Sequence, residues 1–163
     1  MNERKAPQRS QESVWDYPRP PRVEPVSERI RIIFNGEVLA DSQQAFRVLE
    51  TSHPPVYYLP REDIRMENLS QTEKSSYCEW KGRAVYYNLS LGGKTAANVA
   101  WSYPDPTLGF EQIRNHLAFY AGPMDACYLG EEKALPQPGD FYGGWITKGI
   151  IGPFKGGPGT MGW

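Results

Sequence analysis

The chain has 163 residues and a formal net charge of −1, a length that fits one domain able to bury its own core. Near-neutrality excludes a broad phosphate-neutralising surface, so nucleic acid is not an expected partner. No secretory apolar run opens the chain and no segment approaches the ~18 apolar residues of a membrane span, so no membrane partner and a soluble, cytoplasmic setting are expected. Cys78 and Cys127 are too few for a disulfide framework and are expected to be reduced. Sixteen glycines and fifteen prolines are about a fifth of the chain, against a usual ~12%. With aromatics at 13%, this favours short strands and many turns.

Residues 1–27 are polar and studded with proline, and read as an extended arm that Trp15 and Tyr17 tack onto the body. The core domain is expected over 28–131. It opens with a hairpin, Arg29–Phe34 and Glu37–Ala40 about Asn35-Gly36, a pair that accepts positive φ. A two-residue loop would set Ile33 opposite Val38 and Ile32 opposite Leu39. Val56–Leu59 reads as a strand between Pro54-Pro55 and Pro60. Residues 61–74 fit either a strand or a short helix.

A second hairpin runs from Ala84 through Leu91, turns at Gly92-Gly93 and returns from Lys94 to Tyr103, with a period of two. Its simple register sets Tyr86 opposite Val99, and Val85 and Leu89 opposite Ala100 and Ala96. Asp105-Pro106 resembles a helix start, and Phe110, Ile113 and Leu117 share a helical face. Ala118–Tyr120 and Ala126–Leu129 are expected to pair as a closing hairpin. The extension over 132–163 is richest in glycine and aromatics from Pro136 onward. There Phe141, Tyr142, Trp145, Phe154 and Trp163 are spaced like anchors that dock either on the domain itself or on a protein partner met by residues 139–163.

Several motifs fall away on chemistry. Gly93-Lys94-Thr95 has Asn88 where a phosphate loop needs glycine and lies between strands. Lys155–Thr160 is Gly-rich, but no helix follows to add its dipole to anion binding. His53, Cys78, His116 and Cys127 lack the paired spacing of a zinc site, so no metal and no cofactor is expected. His116 reads as a helix-face residue.

Cys78 is different, because Lys81 lies three residues on and a nearby ammonium favours the thiolate. The plain alternative is a buried thiol beside a turn. Arg61, Asp63 and Lys81 flank strand ends, where charged side chains either line a pocket mouth or pair with one another.

Phe34-Asn35-Gly36 with Leu39–Ser42, Val48–Glu50 and Pro55–Asp63 resembles a known bacterial family, domain of unknown function 427. Cys78, Trp80-Lys81-Gly82, Ala84, Tyr86, Ala100–Pro106, Ala118–Tyr120 and Asp125 carry the resemblance on, over residues 22–130. It implies a mainly β, β-tent-like fold related to methionine sulfoxide reductase B and small zinc modules. The cysteine pairs that hold zinc in those relatives are missing. The family's usual Cys-Pro is here Cys78-Glu79, which alters the turn and sets a carboxylate near the thiol. A nucleotidyltransferase label attached to the family finds no Gly-Ser loop with Asp-x-Asp carboxylates. Tyr142–Ile146 and Gly152–Gly156 resemble the extension of cyanobacterial members, which implies a cyanobacterial source.

Two functions are therefore expected to compete. The first is a small-molecule pocket, that of a binding domain or of an enzyme. In it Arg61 and Lys81 hold an anion, Tyr87 and Trp101 form the wall, and Cys78 or Asp63 does proton or nucleophilic work. The second is a non-catalytic assembly protein that uses its tail as the contact.

Overall fold

A computed structural model describes residues 11–139 and 141–163; the first ten residues of the expected arm, and Asp140 in the extension, lie outside the described residues. Its strands are β1 (Glu12–Ser13), β2 (Arg22–Pro25), β3 (Ile30–Phe34), β4 (Glu37–Ser42), β5 (Phe46–Leu49), β6 (Val56–Tyr58), β7 (Leu69–Cys78) and β8 (Gly82–Leu91). They continue as β9 (Lys94–Ser102), β10 (Leu117–Phe119), β11 (Ala126–Leu129), β12 (Glu132–Lys133), β13 (Leu135–Pro136), β14 (Trp145–Ile146) and β15 (Ile150–Ile151). The fold is mainly β. Helical structure among the described residues is confined to three-residue 3₁₀ turns, and none is long and apolar enough to cross a membrane.

Two four-stranded antiparallel sheets, in the orders β10-β9-β8-β7 and β12-β11-β3-β4, carry most of the domain. Ile30, Ile32, Phe34 and Leu39 from the second meet Tyr87, Leu89, Val99 and Phe119 from the first in the main core. The pleat turns alternate residues the other way. Ala84, Tyr86, Trp101, Tyr103 and Ala118 therefore form a second, aromatic cluster with Val48 and Tyr58. A third sheet, β2-β5-β6, brings Val48 and Tyr58 there. It reaches the first sheet through a bridge between Leu59 and Leu117.

The first hairpin forms about Asn35 (φ 51°) and Gly36 (φ 76°), as expected of Asn-Gly. Ile33 lies opposite Val38, but a register shift then sets Ile32 against Ala40 rather than Leu39. The Asn35 side chain donates to the carbonyls of Leu91 and Gly92 at 3.1 and 2.9 Å, tying the two hairpin turns together. Asp125 caps the Gly36 N–H at 2.7 Å. These family-signature residues build turns.

In the second hairpin Leu89 does face Ala96, but beyond it the register moves by two. Tyr86 meets Trp101 and Val85 meets Ser102, not Val99 and Ala100. Asn98 takes up the slack with φ 51°, and its N–H is held by the Asn88 side chain at 2.8 Å. The ambiguous segment is two 3₁₀ turns, Arg61–Asp63 and Met66–Asn68, leading into β7.

The expected helix after Asp105-Pro106 is only the 3₁₀ turn Glu111–Ile113. Asn115 (φ 59°) reverses the chain there, and Leu117 is taken as a strand residue opposite Ser102. The expected closing hairpin does not form either: β10 pairs with β9 and β11 with β3.

The ends of the chain pack onto this body. Glu12 and Ser13 pair in parallel with Ile150 and Ile151. Trp15 donates its indole N–H to the Pro153 carbonyl at 2.9 Å and meets the Trp163 ring edge-on. Tyr17 is buried with Val14, Leu49 and Ile150. Trp145 is 1% exposed and donates to the Phe119 carbonyl at 3.0 Å.

Candidate functional site

Beyond β7 the chain reverses through Glu79, Trp80 and Lys81, with Cys78 opposite Gly82. The loop after β9 clamps that turn. Thr107 gives its N–H to the Lys81 carbonyl at 3.0 Å and its hydroxyl to the Trp80 carbonyl. A residue distant in sequence, just after the run Ala100–Pro106, thus fixes one lysine, and its side chain enters the aromatic cluster.

A cavity of about 420 Å³ opens there. The sheet supplies Tyr86, Trp101 and Tyr103, the third sheet supplies Val48, Val56 and Tyr58, and the turn supplies Cys78 and Lys81. The extension forms the roof with Phe141, Tyr142, Gly143 and Lys155. Gly143 lies against the Trp101 indole: a Cβ there would stand 2.0 Å from its Cη2. Only a residue without a side chain brings backbone so close to a ring. Tyr77 and Phe141, 76% and 53% exposed, stand among the lining residues as accessible aromatic surface.

Lys81 is 9% exposed, yet no carboxylate lies within 4 Å of it among the described residues. Burial works against its charge, but Tyr58, Cys78 and Glu50 more than offset that and hold its pKa above the usual lysine value. Its ammonium is 5.7 Å from the centre of the Tyr103 ring. Burial, then neighbouring Tyr58 and Cys78, raise the Tyr103 pKa; burial also raises that of Tyr58, so both phenols keep their protons. The Tyr58 oxygen accepts from the Trp101 indole at 3.3 Å, which leaves its O–H able to donate. The Tyr103 hydroxyl has no hydrogen-bond partner among the described residues. A charged ammonium flanked by two protonated phenols is a donor set for an anion.

Of the residues singled out in the sequence, Cys78, Lys81 and Trp101 share this cavity. Arg61, Tyr87 and Asp63 do not. Tyr87 points to the opposite face of the sheet from Tyr86 and sits in the main core. Its hydroxyl accepts from Arg61 at 2.7 Å, and Arg61 also donates to the Asn115 carbonyl at 3.0 Å. Asp63 accepts from the Ser42 hydroxyl at 2.7 Å and from the Gln44 amide at 3.3 Å. Strand-end charge here is used up in local bonding.

The four metal candidates are dispersed. His53 and Cys78 line the cavity, Cys127 is in the main core, and His116 rests on Phe46 at 5.7 Å. Among the described residues no three His, Cys, Asp or Glu side chains gather into a metal-binding set.

Sequence reasoning missed Tyr58 and Tyr103 as site residues, and weighed His53 only as a metal ligand and Lys155 only as part of a Gly-rich anion loop. The two tyrosines carry a strand alternation that shows a buried face without showing a cavity. That His53 and Lys155 share one cavity has no local signal, because the extension brings them together.

No curated protein matches the chain. A family model described as Domain of unknown function (DUF427) matches residues 22–130, more than half of the chain. Those residues hold the Cys78–Lys81 turn, both four-stranded sheets but for β12, and the Asn35 and Asp125 turn bonds, and the chain belongs to that family.

Proposed function

We propose that the cavity binds a small organic anion, whose carboxylate is held by Lys81 with the hydroxyls of Tyr58 and Tyr103 as further donors. One observation carries this reading: a buried, charged lysine with no carboxylate partner among the described residues lines an aromatic-walled cavity. A buried ammonium with no carboxylate in contact is open to a ligand's carboxylate, which would add a charge-assisted hydrogen bond there. The volume falls within the ~300–1,000 Å³ of small-molecule sites. Cys78 sits beside Lys81 and is the candidate nucleophile of any reaction on the bound anion. A cytoplasmic setting, which keeps that thiol reduced, belongs to the same reading.

Calorimetric titration with benzoate at constant ionic strength tests it. Wild type is expected to bind, Tyr103→Phe to bind more weakly, and Lys81→Met to lose binding while keeping its fold, since an apolar isostere relieves the buried charge. Unchanged affinity in Lys81→Met would overturn the reading.

The family's short label speaks of nucleotidyl transfer. That chemistry asks for carboxylates set to hold a divalent ion. The cavity's carboxylates are Glu50, paired with Arg19 at 3.1 Å, and the exposed Glu79. They do not fit such a centre. The assembly reading rested on a tail free to meet a partner, whereas Trp145 and Gly143 press onto the chain's own domain.

A further inference from the structure

We propose that the ligand is two-headed: a planar dicarboxylate whose second carboxylate is taken by Lys155 of the C-terminal extension. This rests on the Lys81 reading and names the substrate class of that site.

Lys155 lines the same cavity from the roof. Its backbone is fixed on both sides, with its N–H on the Ser52 carbonyl and its carbonyl taken by the Gln137 amide, each at 2.8 Å. Its ammonium lies 5.3 Å from the centre of the Tyr142 ring, and no carboxylate is within 4 Å among the described residues. Of the cavity's carboxylates, Glu50 is engaged by Arg19 and Glu79 faces solvent. Two lysines from elements far apart in sequence therefore border one small cavity, and neither has a carboxylate within 4 Å among the described residues. Like charges facing a shared low-dielectric space repel. A ligand with a negative group at each end converts that repulsion into two attractions.

The donors favour carboxylates over phosphates. Each end offers one ammonium, and the lining includes neither an arginine fork nor a helix N-terminus. The shape favours a flat spacer. Gly143 closes directly onto the Trp101 ring, which itself lies 4.6 Å from Tyr120, leaving aromatic walls suited to stacking.

The test is calorimetric titration of the full chain with two matched pairs, benzoate against terephthalate and crotonate against fumarate, at constant ionic strength. Wild type is expected to prefer the dicarboxylate of at least one pair by tenfold or more. Lys155→Met and Lys155→Gln are expected to abolish that preference while binding the monocarboxylate within twofold of wild type. Lys81→Met is expected to weaken every probe. If the preference survives both Lys155 variants, or wild type shows none while benzoate binding still depends on Lys81, the second head is refuted and the Lys81 reading stands. If no probe binds wild type, both fall.

Discussion

His53 shows how much a single buried ring records about its surroundings. Gln137 accepts the Gly144 N–H on Oε1 at 3.0 Å, so its Nε2 must be the donor shared between the Lys155 carbonyl and His53 Nδ1, the latter at 3.1 Å. His53 Nδ1 is then an acceptor, and the ring proton sits on Nε2, 3.7 Å from Glu50. Burial, with the charges of Lys155, Arg19 and Lys81, pushes the His53 pKa from 6.5 down to about 3. The unfolded chain takes up this proton near pH 6.5 and the folded chain only near 3. Stability from a neutral His53 is thus complete above about pH 6.5 and drains away as pH falls toward 3. Between pH 7 and 5 the loss is about 2 kcal/mol. Urea melts at the two pH values should show wild type losing that much more than His53→Gln; equal losses would mean that the ring titrates normally. Little of this was legible in the sequence, since Gln137, which fixes the ring's tautomer, stands 84 positions away. Lys81 was legible, because Trp80-Lys81-Gly82 is a turn signature with a charge in it.

At the scale of the element, the β8–β9 hairpin is where pattern and structure part. Alternation located both strands, and Gly92-Gly93 located the turn. The register was hidden in Asn98, whose positive φ inserts the shift that sets Trp101 rather than Val99 opposite Tyr86. Alternation cannot count two extra residues in a strand, because they leave the in–out pattern beyond them unchanged. Asn98 is chosen for this: it tolerates the left-handed region and its Oδ1 accepts from the Thr72 hydroxyl at 2.8 Å. Asn98→Val, β-branched at a positive φ, should cost about 1–3 kcal/mol, and Asn98→Gly less, by chemical denaturation. Similar costs for both would place the stabilisation in the lost Thr72 bond and not in the backbone. The failed helix has the same kind of cause. Phe110 and Ile113 do share a buried side, but Leu117 belongs to a strand, and three apolar positions cannot tell one period from the other. In the roof, Gly143→Ala should lift the extension off Trp101 and weaken benzoate binding, because its Cβ would overlap the indole.

At the scale of the whole molecule, the family segment over 22–130 does not close its own cavity. Two walls come from it and the roof comes from residues 141–155. The roof is in turn strapped down by the other end of the chain. Strand β1 pairs with β15, Trp15 bonds to Pro153, and Arg19 donates to the Trp163 carbonyl at 2.7 Å. Arg47 grips Glu12 through both carboxylate oxygens at 3.0 Å and Glu24 at 2.7 Å, fastening the strap to the third sheet. Composition showed the extension as aromatic-anchored, but could not say on what the anchors land, since such contacts span the full length of the chain. The main anchor is Trp145, fully enclosed against Tyr57 at 5.2 Å. Truncating a buried tryptophan to alanine costs about 3–5 kcal/mol, and for a chain of this size each kcal/mol lowers Tm by about 2–4 °C. Trp145→Ala should therefore melt roughly 6–20 °C below wild type. Deleting residues 139–163 should melt at least as low, expose Trp15 to a fluorescence quencher and abolish benzoate binding. A deletion variant as stable as wild type that still binds benzoate would mean that the family segment is self-sufficient, and would return the extension to the role of a free contact arm.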